Sequence, residues 1–195
     1  RVAEVARRGN GMPAVYSDEA SIASLVYHGY PVEEARDYGT VGCVELALPG
    51  KSFFSTDAGL FNLAVCLELA LNRGRRLGHI KRVGAATPRP SAFKGMDAVV
   101  EAFRQQVYYM VDRMIKDLYV VEGGNRDYHP TPFSSMLVDG CLESGRDLTE
   151  GGALFNSSGL QGVGPADVAD SLAALDRVVF GEKKFTMAEV VEALR

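Results

Sequence analysis

Residues 60–71 are apolar on almost every side of a helix, broken chiefly by Asn62 and Glu68, and they limit the folds open to this chain more than any other stretch. A helix without a polar face must be surrounded by protein. The pattern therefore predicts a buried helix over residues 60–71, ended near Gly74 and more deeply buried than any other element. Material for such a core is present: of 195 residues, 47% are hydrophobic and 24% charged, as in ordinary folded proteins. Cys66, in the middle of the stretch, is read as packing.

The flanking text is helix-rich with short strands. Residues 1–13 are basic and glycine-bearing, and residues 14–16 read as a brief strand. Ser17 or Asp18 then caps a helix with Ile22, Leu25 and Val26 on one face and Gly29 at its end. Pro31 opens a short helix, with Glu33 and Glu34 suited to its first turn. Leu46-Ala47-Leu48 before Pro49-Gly50 reads as a small strand and a reversal.

Residues 73–95 are basic, proline-bearing and aperiodic, a surface excursion with room for one strand over residues 79–83. Their charge reads as a solvated face, with anion binding as the other reading. Met96, Val99, Val100, Phe103, Val107, Met110, Val111, Met114 and Leu118 predict a long amphipathic helix that stops before Gly123-Gly124. Pro130, Thr131 and Pro132 open another, with Phe133, Met136, Leu137 and Cys141 on its apolar face and Gly145 closing it. Gly151, Gly152, Gly159, Gly162 and Gly164 predict loops where the backbone must bend tightly or approach something closely, though not a phosphate loop. Pro165 opens a helix through Val168, Leu172, Leu175 and Val179, and Thr186 caps a last one that runs into the chain end as though more sequence followed. The fold class expected is α/β.

Chemistry is concentrated in Thr40-Val41-Gly42-Cys43-Val44-Glu45. An extended or tightly looped C-x-E puts thiol and carboxylate on one side of the backbone, facing one cavity. Gly42 gives the chain freedom to turn there. The other cysteines, Cys66 and Cys141, form no C-x-x-C pair with it, and His28, His79 and His129 are scattered, so neither disulfides nor a metal site are expected. A reducing cytoplasm suits this cysteine usage. The net charge of −4 gives no reason to expect nucleic acid. No apolar run approaches the roughly 18 residues of a membrane span, and Arg1-Val2-Ala3-Glu4 reads as a cut rather than a natural start.

The run Arg36-Asp37-Tyr38-Gly39-Thr40-Val41-Gly42-Cys43-Val44-Glu45, followed by Pro49-Gly50-Lys51 and Asp57-Ala58-Gly59-Leu60-Phe61-Asn62, resembles the active-site segment of glycyl radical enzymes, the relatives of pyruvate formate-lyase. Four further blocks resemble that family in its own order. They are Gly9-Asn10-Gly11-Met12-Pro13 with Ser17-Asp18-Glu19, Pro130-Thr131-Pro132-Phe133-Ser134-Ser135, Gly151-Gly152-Ala153-Leu154-Phe155-Asn156, and Ala169-Asp170-Ser171-Leu172-Ala173-Ala174. The resemblance implies that residues 1–195 are part of the pyruvate formate-lyase-type catalytic domain, incomplete at both ends. The fold implied is a helix-rich fragment of a ten-stranded α/β barrel, with the cysteine at the tip of a hairpin and apolar surface left uncovered.

By the same resemblance, Cys43 would become a thiyl radical and Glu45 the base that acts on the substrate radical. Asp57 would contact substrate hydroxyls. With Thr56, however, Asp57 also stands where the buried helix would begin, and free amides would stabilise it there without any catalytic duty. Cys43 has no adjacent second cysteine, which argues against acetyl transfer. The implied activity is a lyase of the dehydratase kind acting on a small hydroxylated molecule. An arylacetate decarboxylase, or an inactive fragment or paralogue, is the alternative. No cofactor is expected on the fragment itself. The family's glycyl radical lies in a C-terminal segment and is installed by an S-adenosylmethionine/iron–sulfur activating enzyme, and a homodimer is expected at full length.

Overall fold

Ser17, Asn62 and Thr186 each accept a hydrogen bond from the backbone amide three residues on, and each fixes where a helix begins. The structure, a computed structural model, describes residues 2–9 and 15–194. In chain order it contains α1 (Val2–Arg7), α2 (Asp18–Tyr27), α3 (Val32–Arg36), β1 (Gly39–Val41), β2 (Glu45–Ala47), β3 (Ser52–Asn62), α4 (Leu63–Leu71), α5 (Met96–Tyr128), α6 (Pro132–Ser135), α7 (Cys141–Ser144), β4 (Phe155–Val163), α8 (Pro165–Leu175) and α9 (Met187–Ala193). The expected mixture of helices and short strands is present, with β1 paired to β2 and β3 to β4. The block at residues 10–13 and Ala14 lie outside the described residues, and Val15 and Tyr16 are not in a strand. The chain divides into two units, Arg1–Phe54 with Pro130–Ser157 and Ser55–His129 with Ser158–Arg195.

In the first unit, Leu25 of α2, Ala35 of α3 and Leu48 form a core against which Tyr38, Leu46 and Phe155 pack. Tyr30 meets Phe54 edge-on and packs against Phe155 at a tilt. Lys51 pairs with Glu34 at 2.6 Å, which raises the lysine pKa above its ordinary value. The single helix expected from residue 130 to 145 is instead broken into α6 and α7. Asp147 accepts hydrogen bonds from Thr131, Ser135 and Thr149, and Gly140 turns left-handed at φ +97°. Local side-chain bonds of this kind compete with the helical ladder. Cys141 is buried as expected, but the rest of the expected face is turned outward: Phe133 is 71% exposed, Met136 and Leu137 are also exposed, and Ser135 lies inside in their place.

In the second unit, Asn62 starts α4 at Leu63, because its Oδ1 accepts the Val65 amide at 3.1 Å. Residues 60–62 therefore belong to β3, not to a helix, and Leu60 is 62% exposed. From Leu63 onward the expectation holds. Cys66, Leu67, Leu69, Ala70 and Leu71 are all buried, more than in any other element among the described residues. The core joins α4 to Val99 and Ala102 of α5, Val168 and Leu175 of α8, and Met187 and Val191 of α9.

Residues 73–95 form no strand. Only an isolated Arg75–Arg82 bridge lies there, and the side chain of Gln106, fully buried, receives the Ala85 amide at 2.9 Å and donates to the Ala85 carbonyl at 2.8 Å. Helix α5 does not stop at Gly123-Gly124 but continues to Tyr128. Glycine costs about 1 kcal/mol in a helix interior, and a long ladder absorbs this where no alternative pairing is offered. Gly159 and Gly162 lie within β4 rather than in loops. A Cβ on Gly159 would sit 2.3 Å from the Thr56 carbonyl oxygen of β3, so close strand approach, not turning, requires this glycine. Exposed apolar side chains are numerous in both units, among them Phe133, Leu137 and Leu142 in the first and Ile80, Tyr119 and Val120 in the second.

Candidate functional site

β1 and β2 pair antiparallel with Gly39 opposite Ala47, Thr40 opposite Leu46 and Val41 opposite Glu45. Gly42-Cys43-Val44 is left as the connecting turn, and Gly42 opens it at φ +62°, a conformation that favours glycine. Cys43 thus sits on a connection between two short strands, and Glu45 opens the second of them. The route by which thiol and carboxylate meet differs from the expected one. Residue 43 is in a turn, so strand alternation does not bring the two side chains to one side. Instead the Glu45 carboxylate folds back over the turn, and its Oε2 accepts both the Cys43 and the Val44 amide at 2.8 Å. Bonds to an ionised acceptor of this kind are among the stronger hydrogen bonds in proteins. A Cβ on Gly42 would lie 3.0 Å from the same oxygen, a second reason for glycine there.

Tyr16 closes the turn from the other side by donating its hydroxyl to the Cys43 carbonyl. Two residues on, Asp18 accepts the Tyr38 hydroxyl at 2.6 Å, and this bond holds the Tyr38 phenol above its ordinary pKa. Tyr16, Asp18, Arg36, Tyr38 and Thr40 line a groove of about 390 Å³ beside the hairpin, and neither Cys43 nor Glu45 is among its lining residues.

The three cysteines are in unlike settings. Cys43 is exposed at the tip of the turn, whereas Cys66 and Cys141 are buried. Burial pushes the Cys66 thiol up, and burial followed by the charges of Asp147 and Glu143 does the same to Cys141. Both are thereby kept protonated and inert. Of the thiols, only Cys43 is exposed to an external partner.

Asp57 lies in the middle of β3, not at a helix start, so the helix-end reading of this residue falls. Asn62 performs that capping task. Asp57 Oδ1 accepts the Gln161 side-chain amide of β4. Cys43 and Glu45 are brought together, while Asp57 belongs to the second unit. The contacts of Tyr16 and Gln161 escaped the reading of the sequence, since neither belongs to a spaced motif. Among the described residues no group of three or more His, Cys, Asp or Glu side chains is gathered for a metal ion, and no helix is long and apolar enough to cross a membrane.

Over residues 1–195 the sequence matches the family model described as pyruvate formate lyase-like. It is 39% identical over 194 residues to trans-4-hydroxy-L-proline dehydratase of Clostridioides difficile and 37% identical over 195 residues to (2S)-3-sulfopropanediol dehydratase of Klebsiella oxytoca. Each alignment takes in 100% of this chain and 24% of the relative, so the chain spans about a quarter of the length of these relatives. The structure is similar to the glycerol-bound form of the B12-independent glycerol dehydratase from Clostridium butyricum, with a TM-score of 0.86 and 39% identity over 98% of this chain and 24% of that one.

Proposed function

The chain belongs to the pyruvate formate lyase-like family, and on that premise we propose that it is the cysteine-bearing part of a glycyl radical lyase. The reaction is removal of water or another leaving group from a small hydroxylated substrate, in the manner of a diol dehydratase. The observation that carries this reading is the turn itself, an exposed thiol beside a carboxylate that folds over the same three residues. The similarity to proteins named as dehydratases of hydroxyproline, sulfopropanediol and glycerol supports the substrate class.

When present, the family's glycyl radical, installed by an S-adenosylmethionine/iron–sulfur activating enzyme, would take the hydrogen atom of the Cys43 thiol onto its α-carbon and leave the unpaired electron on the Cys43 sulfur. Cys43 sulfur then takes a hydrogen atom from a carbinol carbon: an S–H bond forms, a C–H bond breaks, and the unpaired electron stays on carbon. Glu45 accepts the hydroxyl proton, and the neighbouring carbon–oxygen bond breaks with its electron pair leaving on oxygen. Glu45 returns its proton to the departing hydroxide as water. The product radical recovers hydrogen from the Cys43 thiol, which restores the sulfur radical. Asp57 would hold a substrate hydroxyl, with Gln161 fixing its carboxylate.

The test uses activated full-length enzyme without oxygen. Cys43→Ala should abolish both hydrogen exchange into substrate and product formation. Glu45→Gln keeps an acceptor oxygen for the turn but cannot take a proton. Product should fall about 10²–10⁴-fold, the range for loss of a general base, while exchange with the thiol persists. Full product formation by the glutamine variant would remove Glu45 from the mechanism.

A further inference from the structure

Cys43 sits between two peptide planes, and in a three-residue turn neither is held by a strand ladder. Both are nevertheless bonded. The Gly42–Cys43 peptide gives its N–H to Glu45 Oε2, and the Cys43–Val44 peptide gives its N–H to the same oxygen. The second plane is also held at its other end, where the Cys43 carbonyl accepts the Tyr16 hydroxyl. One carboxylate oxygen that bridges two N–H groups restrains the planes jointly but leaves them free to rock about it. A donor on the opposite carbonyl removes that freedom. Tyr16 is itself fixed in place, because it immediately precedes the cap of α2, where Ser17 holds the Ala20 amide and Asp18 holds Tyr38.

We infer that Tyr16 is a positioning residue for Cys43: by holding the Cys43 carbonyl it fixes both backbone torsions of the cysteine and so the direction in which the sulfur is presented. This rests on the lyase reading for its chemical consequence, but the geometric part stands independently of it. A hydrogen-atom transfer needs reacting atoms in near contact, and small misplacements are costly. Tyr16 touches no reacting atom and exchanges no proton. Its effect falls on the abstraction step and not on the later elimination.

The experiment compares Tyr16→Phe with the unaltered sequence in the full-length enzyme. The glycyl radical signal by electron paramagnetic resonance and the KM should stay unchanged. Product turnover and exchange of substrate hydrogen should fall together, by between a few-fold, the worth of one neutral hydrogen bond, and about 10²-fold, the cost of a misplaced reacting atom. The isotope effect with substrate deuterated at the abstracted position should rise, which a general loss of folded enzyme would not cause. Unchanged exchange, or a product loss that leaves exchange intact, overturns the inference. A second measurement needs no activation: amide hydrogen exchange across residues 41–45 should quicken about three- to tenfold in Tyr16→Phe, and unaltered protection overturns the inference equally. If the unaltered enzyme gives neither exchange nor product with any diol, amine or sulfonate, the lyase reading fails, and the amide measurement alone decides the place of Tyr16.

Discussion

At Asp147 the amides and hydroxyls of Thr131 and Thr149 and the hydroxyl of Ser135 all point at one carboxylate. Burial pushes its pKa up, but the hydrogen bonds, led by the Thr149 amide and hydroxyl, outweigh this and hold the carboxyl well below the usual range. A depressed carboxylate adds stability that is complete above its unfolded pKa of about 3.9 and is lost as pH falls below it. Acid unfolding of the unaltered chain should therefore show a loss in this window. Asp147→Asn should be less stable at neutral pH by about 1–3 kcal/mol, since an amide donor would face the Ser135 and Thr131 donors, and it should show a flatter acid profile. At this scale Cys43 and Glu45 were legible, because a thiol and a carboxylate two apart behind a glycine are visible as text. Tyr16 was not, since its partner is a backbone carbonyl 27 residues away, and a carbonyl leaves no mark in a sequence.

Among the elements, α4 was legible from its lack of a polar face, and its start was misplaced by three residues because Leu60 and Phe61 suit a strand as well as a helix. Asn62 decided the boundary. The break between α6 and α7 was hidden for another reason: Asp147, which draws Thr131 and Ser135 toward itself, lies after both helices in the chain. Gly159 read as a loop because close strand approach and tight turning both call for glycine. The loop of residues 73–95 read as a solvated surface excursion, yet Gln106 of α5 pairs with both polar groups of Ala85 as a neighbouring strand would. Gln106→Leu keeps the bulk and removes both bonds. It should lower stability by about 2 kcal/mol or more, the cost of leaving the Ala85 amide and carbonyl without partners, as a reduced midpoint in urea.

For the whole molecule, the α/β class followed from the mixture of helical periods and short apolar runs, but the division into two units did not. Each unit is made of two stretches far apart in the chain, and two of the three boundaries fall inside β3 and β4, the third directly after α5. That arrangement has a consequence for how the protein is made. A ribosome delivers the N-terminus first, yet the first unit waits for Pro130–Ser157 and the second for Ser158–Arg195. Neither can close until its late segment is made: α5 can cover α4 on one side early, but the sides of α4 that meet α8 and α9 stay open to chaperones or to other nascent chains until Ser158–Arg195 follows. A chain halted after His129 should show no cooperative thermal transition by circular dichroism, whereas the 195-residue chain should show one. A sharp transition in the shortened chain would mean that one unit closes without its late segment.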